Sequence, residues 1–141
     1  MRFFDASAVV KGYINEPDSA AVRRLFAKGS VVVSRLSEVE DVSAFNRLVR
    51  ERRITSEQRD RASERFLADF AKWHAVEVTA GITSVAVRLL RHHSLRASDS
   101  VQLASALVVQ SALGRPLLAF VVYDQRLADA ARAEQLTVIP H

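Results

Sequence analysis

The sequence predicts an α/β domain with a central, mostly parallel sheet flanked by helices on both faces. Strand-sized apolar runs alternate with helical periodicities along the whole chain, the order that builds parallel sheets through helical crossovers. Turn-forming stretches ("NEPDS", "AKGS", "TAG", "ALGRP") separate them. The 141 residues are 49% hydrophobic and 26% charged, which is enough for one domain with a real core, spanning residues 1–141.

Arg2–Phe4 opens as a strand and stops on Asp5. Helical patterns follow over Ser7–Ile14 and Ser19–Lys28, then a β-branched strand, Val31–Ser34. Two long helical patterns, Ser37–Glu51 and Thr55–Trp73, run consecutively, with Thr55 or Ser56 capping the second. This pair departs from plain alternation and is expected to protrude as a helical arm. Strands are predicted at Val76–Thr79, Leu117–Val122 and Thr137–Ile139, and helices at Ile82–His93, Ser98–Leu113 and Gln125–Glu134. In the last helix Leu127, Ala130 and Ala131 share one face. No repeat, low-complexity tract or linker divides the chain.

No apolar run reaches the roughly 20 residues that span a bilayer, and no secretory signal opens the chain. Cysteine is absent, which removes disulfides and thiolate metal sites and fits a cytoplasmic setting. Basic residues number 20 against 16 acids, and the only lysines are Lys11, Lys28 and Lys72. Arginine's planar fork suits phosphate, although a net charge of +4 is by itself weak evidence for a nucleic-acid partner.

Four acids stand where helices begin. Asp5 and Asp124 end strand-like runs, Glu40 lies in the first turn after "VVVS", and Asp99 opens "DSVQLASALVV". Ligands of parallel sheets bind outside the carboxyl ends of the strands, so convergence of these four is the functional expectation. Each also has a structural explanation. Ser37 and Glu40 fit a capping box, and Asp99 and Asp124 suit helix N-termini. Glu51, Glu57, Asp60, Glu64, Asp69 and Glu134 sit among arginines and read as solvated faces. Gathered in one pocket, however, three or four carboxylates repel, and a divalent cation relieves the conflict. Oxygen-only ligands favour Mg²⁺, with Mn²⁺ as an alternative, over zinc. Asp41 follows Glu40 but is expected to point about 100° away around the helix. The histidines His74, His92, His93 and His141 show no metal-site spacing, and His92 and His93 suit a helix C-terminus.

"FFDASAVVKGYINEPDS", "VVVSRLSEVEDVSAFNRLV", "LRASDSVQLASAL" and "FVVYDQRLADAARAEQL" resemble, in order, the acidic motifs of PIN-domain ribonucleases, most closely the VapC-type toxins of toxin–antitoxin pairs. The likeness runs from Asp5 to Leu136 and implies a PIN-like fold. It also implies a metal-dependent endoribonuclease whose catalytic and metal-binding carboxylates are Asp5, Glu40, Asp99 and Asp124. Ser7 matches the small hydroxyl residue common two positions after the first acid. Val122 departs from the Thr or Ser usual two positions before the last. The resemblance further implies RNA as substrate, products with 5′-phosphate and 3′-hydroxyl ends, a cognate antitoxin and a homodimer.

Metal-bound carboxylates can polarise a phosphodiester and acidify an attacking water. Arg96 and Arg35, close in sequence to Asp99 and Glu40, are candidates for substrate-binding or supporting positions together with Ser7. Arg47, Arg50, Arg52, Arg53, Arg59, Arg61 and Arg65 form the densest basic region, a phosphate groove or a solvated face. Tyr13 and Tyr123 are candidates for base stacking. The apolar positions Phe45, Leu48, Val49, Phe66, Phe70 and Trp73 exceed what a two-helix arm buries alone, which points to dimer contact. The alternatives are a non-catalytic PIN-like interaction module and an orphan or housekeeping nuclease without antitoxin. A receiver-like phosphoacceptor would need an acidic neighbour before Asp5, which the chain lacks.

Overall fold

The computed structural model describes residues 1–117 and 119–140, so Leu118 and His141 lie outside the described residues. Five strands form one sheet, β1 (Arg2–Phe4), β2 (Val31–Ser34), β3 (His74–Val76), β4 (Ala119–Val121) and β5 (Val138–Ile139). Their order is β3-β2-β1-β4-β5 and every pairing is parallel. The chain winds outward from β1 through β2 to β3, then returns to β1's other side with β4 and β5. The winding direction therefore reverses between β1 and β4, the place where open parallel sheets bind ligands.

Alternate side chains of the strands enter two separate cores, as a period of two demands when both faces are covered. Phe3, Val32, Phe120 and Val138 face α5 (Ala80–His92), α6 (Ala97–Leu113) and α7 (Gln125–Ala133), packing on Ile82, Leu89, Leu103 and Leu127. Phe3 and Phe120 stack at 5.6 Å between ring centroids. On the other face Phe4, Val31, Val33 and Val121 meet α1 (Ala6–Lys11), α3 (Ser37–Arg50) and α4 (Ser56–Phe70), with Phe26 of α2 (Ser19–Phe26) against them. A fully buried phenylalanine such as Phe66 contributes about 2–3 kcal/mol through apolar area alone.

The consecutive pair α3–α4 is present, and Thr55 closes a capping box with Gln58 at the second helix. Its apolar stripe is not spare surface. Phe45, Leu48, Phe66 and Phe70 are each at most 3% exposed, and Tyr13, Phe45, Phe66, Phe70 and Trp73 form an aromatic cluster against the sheet. Most of the stripe thus enters the sheet's own second core, and only Val49 and Trp73 of it stay half-buried, so the expected dimer contact is left with little of this surface.

Boundaries differ in small ways with physical causes. β3 begins at His74 rather than Val76, because Val32 pairs with His74 and Ser34 with Val76. Thr79 leaves the strand to cap α5, accepting from the Ile82 amide at 3.3 Å. α1 stops at Lys11 where Gly12 packs directly on the Phe26 ring; a Cβ there would collide with it. Gly114 ends α6 at φ 66°, the left-handed conformation that only glycine adopts without cost. Among the described residues, no helix is long and apolar enough to cross a membrane.

Candidate active site

Asp5, Glu40, Asp99 and Asp124 line one open cleft of about 290 Å³ at the carboxyl ends of β1 and β4. Ser7, Lys11, Glu16, Asp41, Arg47, Arg53, Arg96 and Tyr123 complete its wall. The sequence-predicted acids are therefore brought together, each delivered by a different strand–helix junction or helix start.

Asp5 caps α1 and is 3% exposed. Its Oδ2 accepts from the Ser7 amide at 3.0 Å and the Ser7 hydroxyl at 2.6 Å. The same hydroxyl accepts from the Tyr123 amide at 3.0 Å, tying the end of β1 to the end of β4. Burial, against the Ser7 bonds and aided by repulsion from Glu40 and Asp99, raises the Asp5 pKa to about 7.

Glu40 does not complete a capping box. Ser37 lies inside α3, and its hydroxyl instead accepts from Gln102 Nε2 at 3.0 Å. The same nitrogen donates to Glu40 Oε1 at 2.9 Å. Burial raises the Glu40 pKa, the Gln102 bond opposes that, and repulsion from Asp99 adds to it. Asp99 accepts from the Arg96 amide and from Arg96 Nε, both at 3.3 Å. Asp124 caps α7 through the Leu127 amide at 2.9 Å and lies 3.6 Å from Arg96 Nη2. Capping and site membership are thus compatible for Asp124: one oxygen holds the helix while the other meets Arg96.

Arg96 bridges Asp99 and Asp124 from a largely exposed position, as its place in the sequence suggested. Arg35 is not brought to the site. It turns away to Glu77 at 2.7 Å and Glu38 at 3.4 Å and lies over Phe70. Tyr13 is likewise withdrawn, its ring in the aromatic cluster and its hydroxyl donating to Asp69 at 2.6 Å. Tyr123 stays on the cleft wall with the Lys11 ammonium 4.9 Å from its ring centre.

Two site residues escaped the sequence reading. Gln102 is 1% exposed and stands three residues after Asp99, on the same face of α6. A glutamine among the apolar residues of that helix was the available signal. Asp41 is 0% exposed and lines the cleft, contrary to the expectation that it points away. It shares α3's buried stripe with Ser37, Ala44, Phe45 and Leu48. Burial first, then repulsion from Asp5 and Glu40, drives its pKa well above the carboxylate range.

Among the described residues, no three acidic or imidazole side chains stand close enough as a group to enclose an ion. Each of the four predicted acids is held by its own protein partner. The donor set nevertheless fits a hard divalent cation: all donors are oxygens, and three of the carboxylates are disfavoured as anions by burial and one another. Val122, which replaces a polar residue common in the resembling family, is 2% exposed in the core beneath α7.

Comparisons with known proteins identify the family of the chain. Residues 2–133 match the PIN domain family. Ribonuclease VapC45 of Mycobacterium tuberculosis is 38% identical over 141 residues, covering 98% of this chain and 94% of the relative. M. tuberculosis VapC20, described as a sarcin-ricin loop cleaving toxin, superposes with a TM-score of 0.66 at 19% identity, covering 92% of this chain and 95% of its own. A toxin–antitoxin complex from Klebsiella pneumoniae contains a chain that superposes at 0.63 with 12% identity, covering 89% and 88%. With a family match over nearly its whole length and so similar a ribonuclease relative, the chain belongs to the PIN-domain family, among the VapC ribonucleases.

Proposed function

We propose that this protein is a Mg²⁺-dependent endoribonuclease acting as the toxin of a toxin–antitoxin pair in the cytoplasm, with Mn²⁺ able to replace Mg²⁺. The observation that carries the reading is the meeting of Asp5, Glu40, Asp99 and Asp124 in one cleft at the sheet's switch point. A nuclease relative at 38% identity supports the reaction class.

Asp5, Glu40, Asp99 and Asp124 would hold the cation, oriented by Ser7, Gln102, Arg96 and the Leu127 amide respectively. A divalent ion bound there supplies Lewis-acid polarisation of a phosphodiester and acidifies the attacking water. Arg96, at the rim between Asp99 and Asp124, is placed to pair with a phosphate oxygen of the RNA. Tyr123 offers a face for a neighbouring base. The test is cleavage of synthetic RNA by the purified protein with Mg²⁺, with EDTA, and with Mn²⁺ added back. Activity that ignores EDTA, or no activity under any condition, overturns the reading; the latter favours a non-catalytic interaction module.

The RNA strand has a basic path to this centre. Arg53 lines both the acidic cleft and a neighbouring one of about 250 Å³, whose wall includes Arg23, Arg61 and Arg65. Arg47 and Arg59 are paired with Glu51 and Asp60, as a solvated face would be. Among the described residues, Arg61 and Arg65 have no ion-pair partner and are exposed. Replacing both by alanine is expected to weaken RNA binding and to lower the slope of log affinity against log salt by about 0.7 per arginine. Cleavage by the saturated enzyme should persist. Binding and slope unchanged from the parent protein would return these residues to ordinary surface.

An antitoxin partner follows from the same reading, since a solved toxin–antitoxin complex shares the fold. Co-purification with a protein encoded next to it should silence cleavage, and proteolysis of that partner should restore it. Full activity in the intact complex favours an orphan nuclease. We also propose the homodimer, with most of the α3–α4 stripe withdrawn from its support. Val87 and Leu90 on α5, 49% and 42% exposed, offer another apolar surface for it. Light scattering at micromolar concentration should return twice the chain mass of 15.7 kDa, and a clean monomer counts against it.

A further inference from the structure

Asp41 occupies a position that the rest of α3 treats as core. The inward stripe runs Ser37, Asp41, Ala44, Phe45, Leu48, a helical spacing in which every other member is small or apolar. A carboxylate in such a place ordinarily brings its donors with it, because burying an ionised oxygen without a hydrogen bond is among the most costly things a fold can do. Asp41 does not. It is 0% exposed, and neither Oδ1 nor Oδ2 has a hydrogen-bond partner.

The contrast with its neighbours is sharp. Asp5 has Ser7, Glu40 has Gln102, Asp99 has Arg96 and Asp124 has the Leu127 amide. The cations of the cleft wall are engaged elsewhere: Lys11 with Glu16 at 2.7 Å, Arg53 with Glu16 at 3.2 Å, Arg47 with Glu51 at 3.9 Å, and Arg96 with Asp99 at 3.3 Å. Asp41 lines the same cleft as the four other acids, and the charges of Asp5 and Glu40 act on it. A group so placed is open to something the cleft receives, and in its ionised form its all-acceptor chemistry asks for a cation.

We propose that Asp41 is a fifth carboxylate of the divalent-cation centre, contacting the ion or one of its bound waters from the α3 side of the cleft. The inference rests on the four-acid reading and extends it to a fifth acid, beyond the four that reading assigns to the metal. The orphaned carboxylate destabilises the metal-free protein and contributes to ion affinity, so that cation binding and stability of the fold are coupled.

The test is calorimetric titration of Mn²⁺ into metal-stripped protein, with thermal unfolding followed with and without Mn²⁺. The proteins are the parent, Asp41→Asn, Asp41→Leu and Asp99→Asn. Leucine suits the Ala44–Leu48 environment and guards against a variant that fails only because asparagine's amide is also buried unpaired; far-ultraviolet circular dichroism verifies the fold of each. Both Asp41 variants should bind Mn²⁺ about tenfold or more weakly. They should also gain less thermal stability from it than the parent does, and Asp41→Leu should melt higher than the parent in EDTA. Mn²⁺ affinity and metal-induced stabilisation unchanged in the folded Asp41 variants, with Asp99→Asn impaired, overturns the role of Asp41 alone. Unchanged binding in Asp99→Asn as well overturns the four-acid centre on which it rests.

Discussion

Asp5→Asn and Asp99→Asn are each expected to lower RNA cleavage by about a hundredfold or more, since even groups that merely orient metal ligands cost up to that amount. The fold should survive both changes. Asparagine keeps an oxygen to accept from the Ser7 amide and hydroxyl at position 5, or from the Arg96 amide at position 99. What is lost is one negative charge from a cleft that has several in excess. The metal-free variants should therefore melt at or above the parent temperature while losing activity. Glu40→Gln sharpens the comparison, because Gln102 Nε2 can still donate to the new amide oxygen and no capping box depends on the residue. A purely structural Glu40 predicts unchanged cleavage; a metal ligand predicts a loss of the same order as the other two. Single-turnover assays at saturating Mg²⁺, with melting curves alongside, decide it. Parent rates in all three variants would remove the carboxylate centre altogether.

The fold was legible because its signals are local and repeated. The inner strands β2 and β4 are buried on both faces, so they appear in the sequence as short β-branched or aromatic runs, as at "VVVS". Phe3 and Phe4 enter opposite cores, which is why an apolar pair rather than an alternation opens the chain. The helical pair from Ser37 to Phe70 was equally plain, because its periods are long and Thr55 carries a capping box. Where its apolar face goes was not plain. A stripe of phenylalanines has the same spacing whether it meets a second chain or the sheet of its own. Only the tertiary path, which lays α3 and α4 over Val31 and Val33, distinguishes them.

The site was legible in part for a different reason. Asp5 and Asp124 sit at strand ends that topology places side by side, and Asp99 and Glu40 open the helices beside them. Position in the chain thus stood in for position in space. Arg35 shows where that substitution fails. It lies five residues before Glu40, but the turn from β2 into α3 directs it outward, where Glu77 captures it. Gln102 and Asp41 failed in the opposite sense: each is a polar residue on an apolar helical stripe, yet Asp41 was expected to point away from the site and Gln102 drew no notice. The general signal they share is a polar side chain at a core phase of a helix, and here both instances fall on the cleft.

Raising the pH from about 4 to about 7 is expected to destabilise the metal-free protein, and Mg²⁺ or Mn²⁺ to restore what is lost. Asp5 titrates at 3.8 when unfolded and about 7 when folded. Between those values the folded state holds a proton that the unfolded chain has released. Stability then falls with rising pH, fully present below the unfolded value and lost as pH passes the folded one. A separation of this size corresponds to a decrease on the order of 4 kcal/mol. Glu40 and Asp41 are shifted in the same direction by burial and by their neighbours, so they act with the same sign. Glu77 and Glu134 are shifted the other way by Arg35 and His93, and their stabilisation is lost only as pH falls below the ordinary glutamate value of 4.5. The window above that value therefore belongs to the cleft. Urea unfolding across this range in EDTA should show the decline, and Asp5→Asn should flatten much of it. Repeating the series with Mg²⁺ should raise stability most at the alkaline end, where ionised carboxylates bind the ion best. A metal-free stability that stays level or climbs between pH 4 and 7 would mean that Asp5 keeps its charge in the fold without a cation to hold it there.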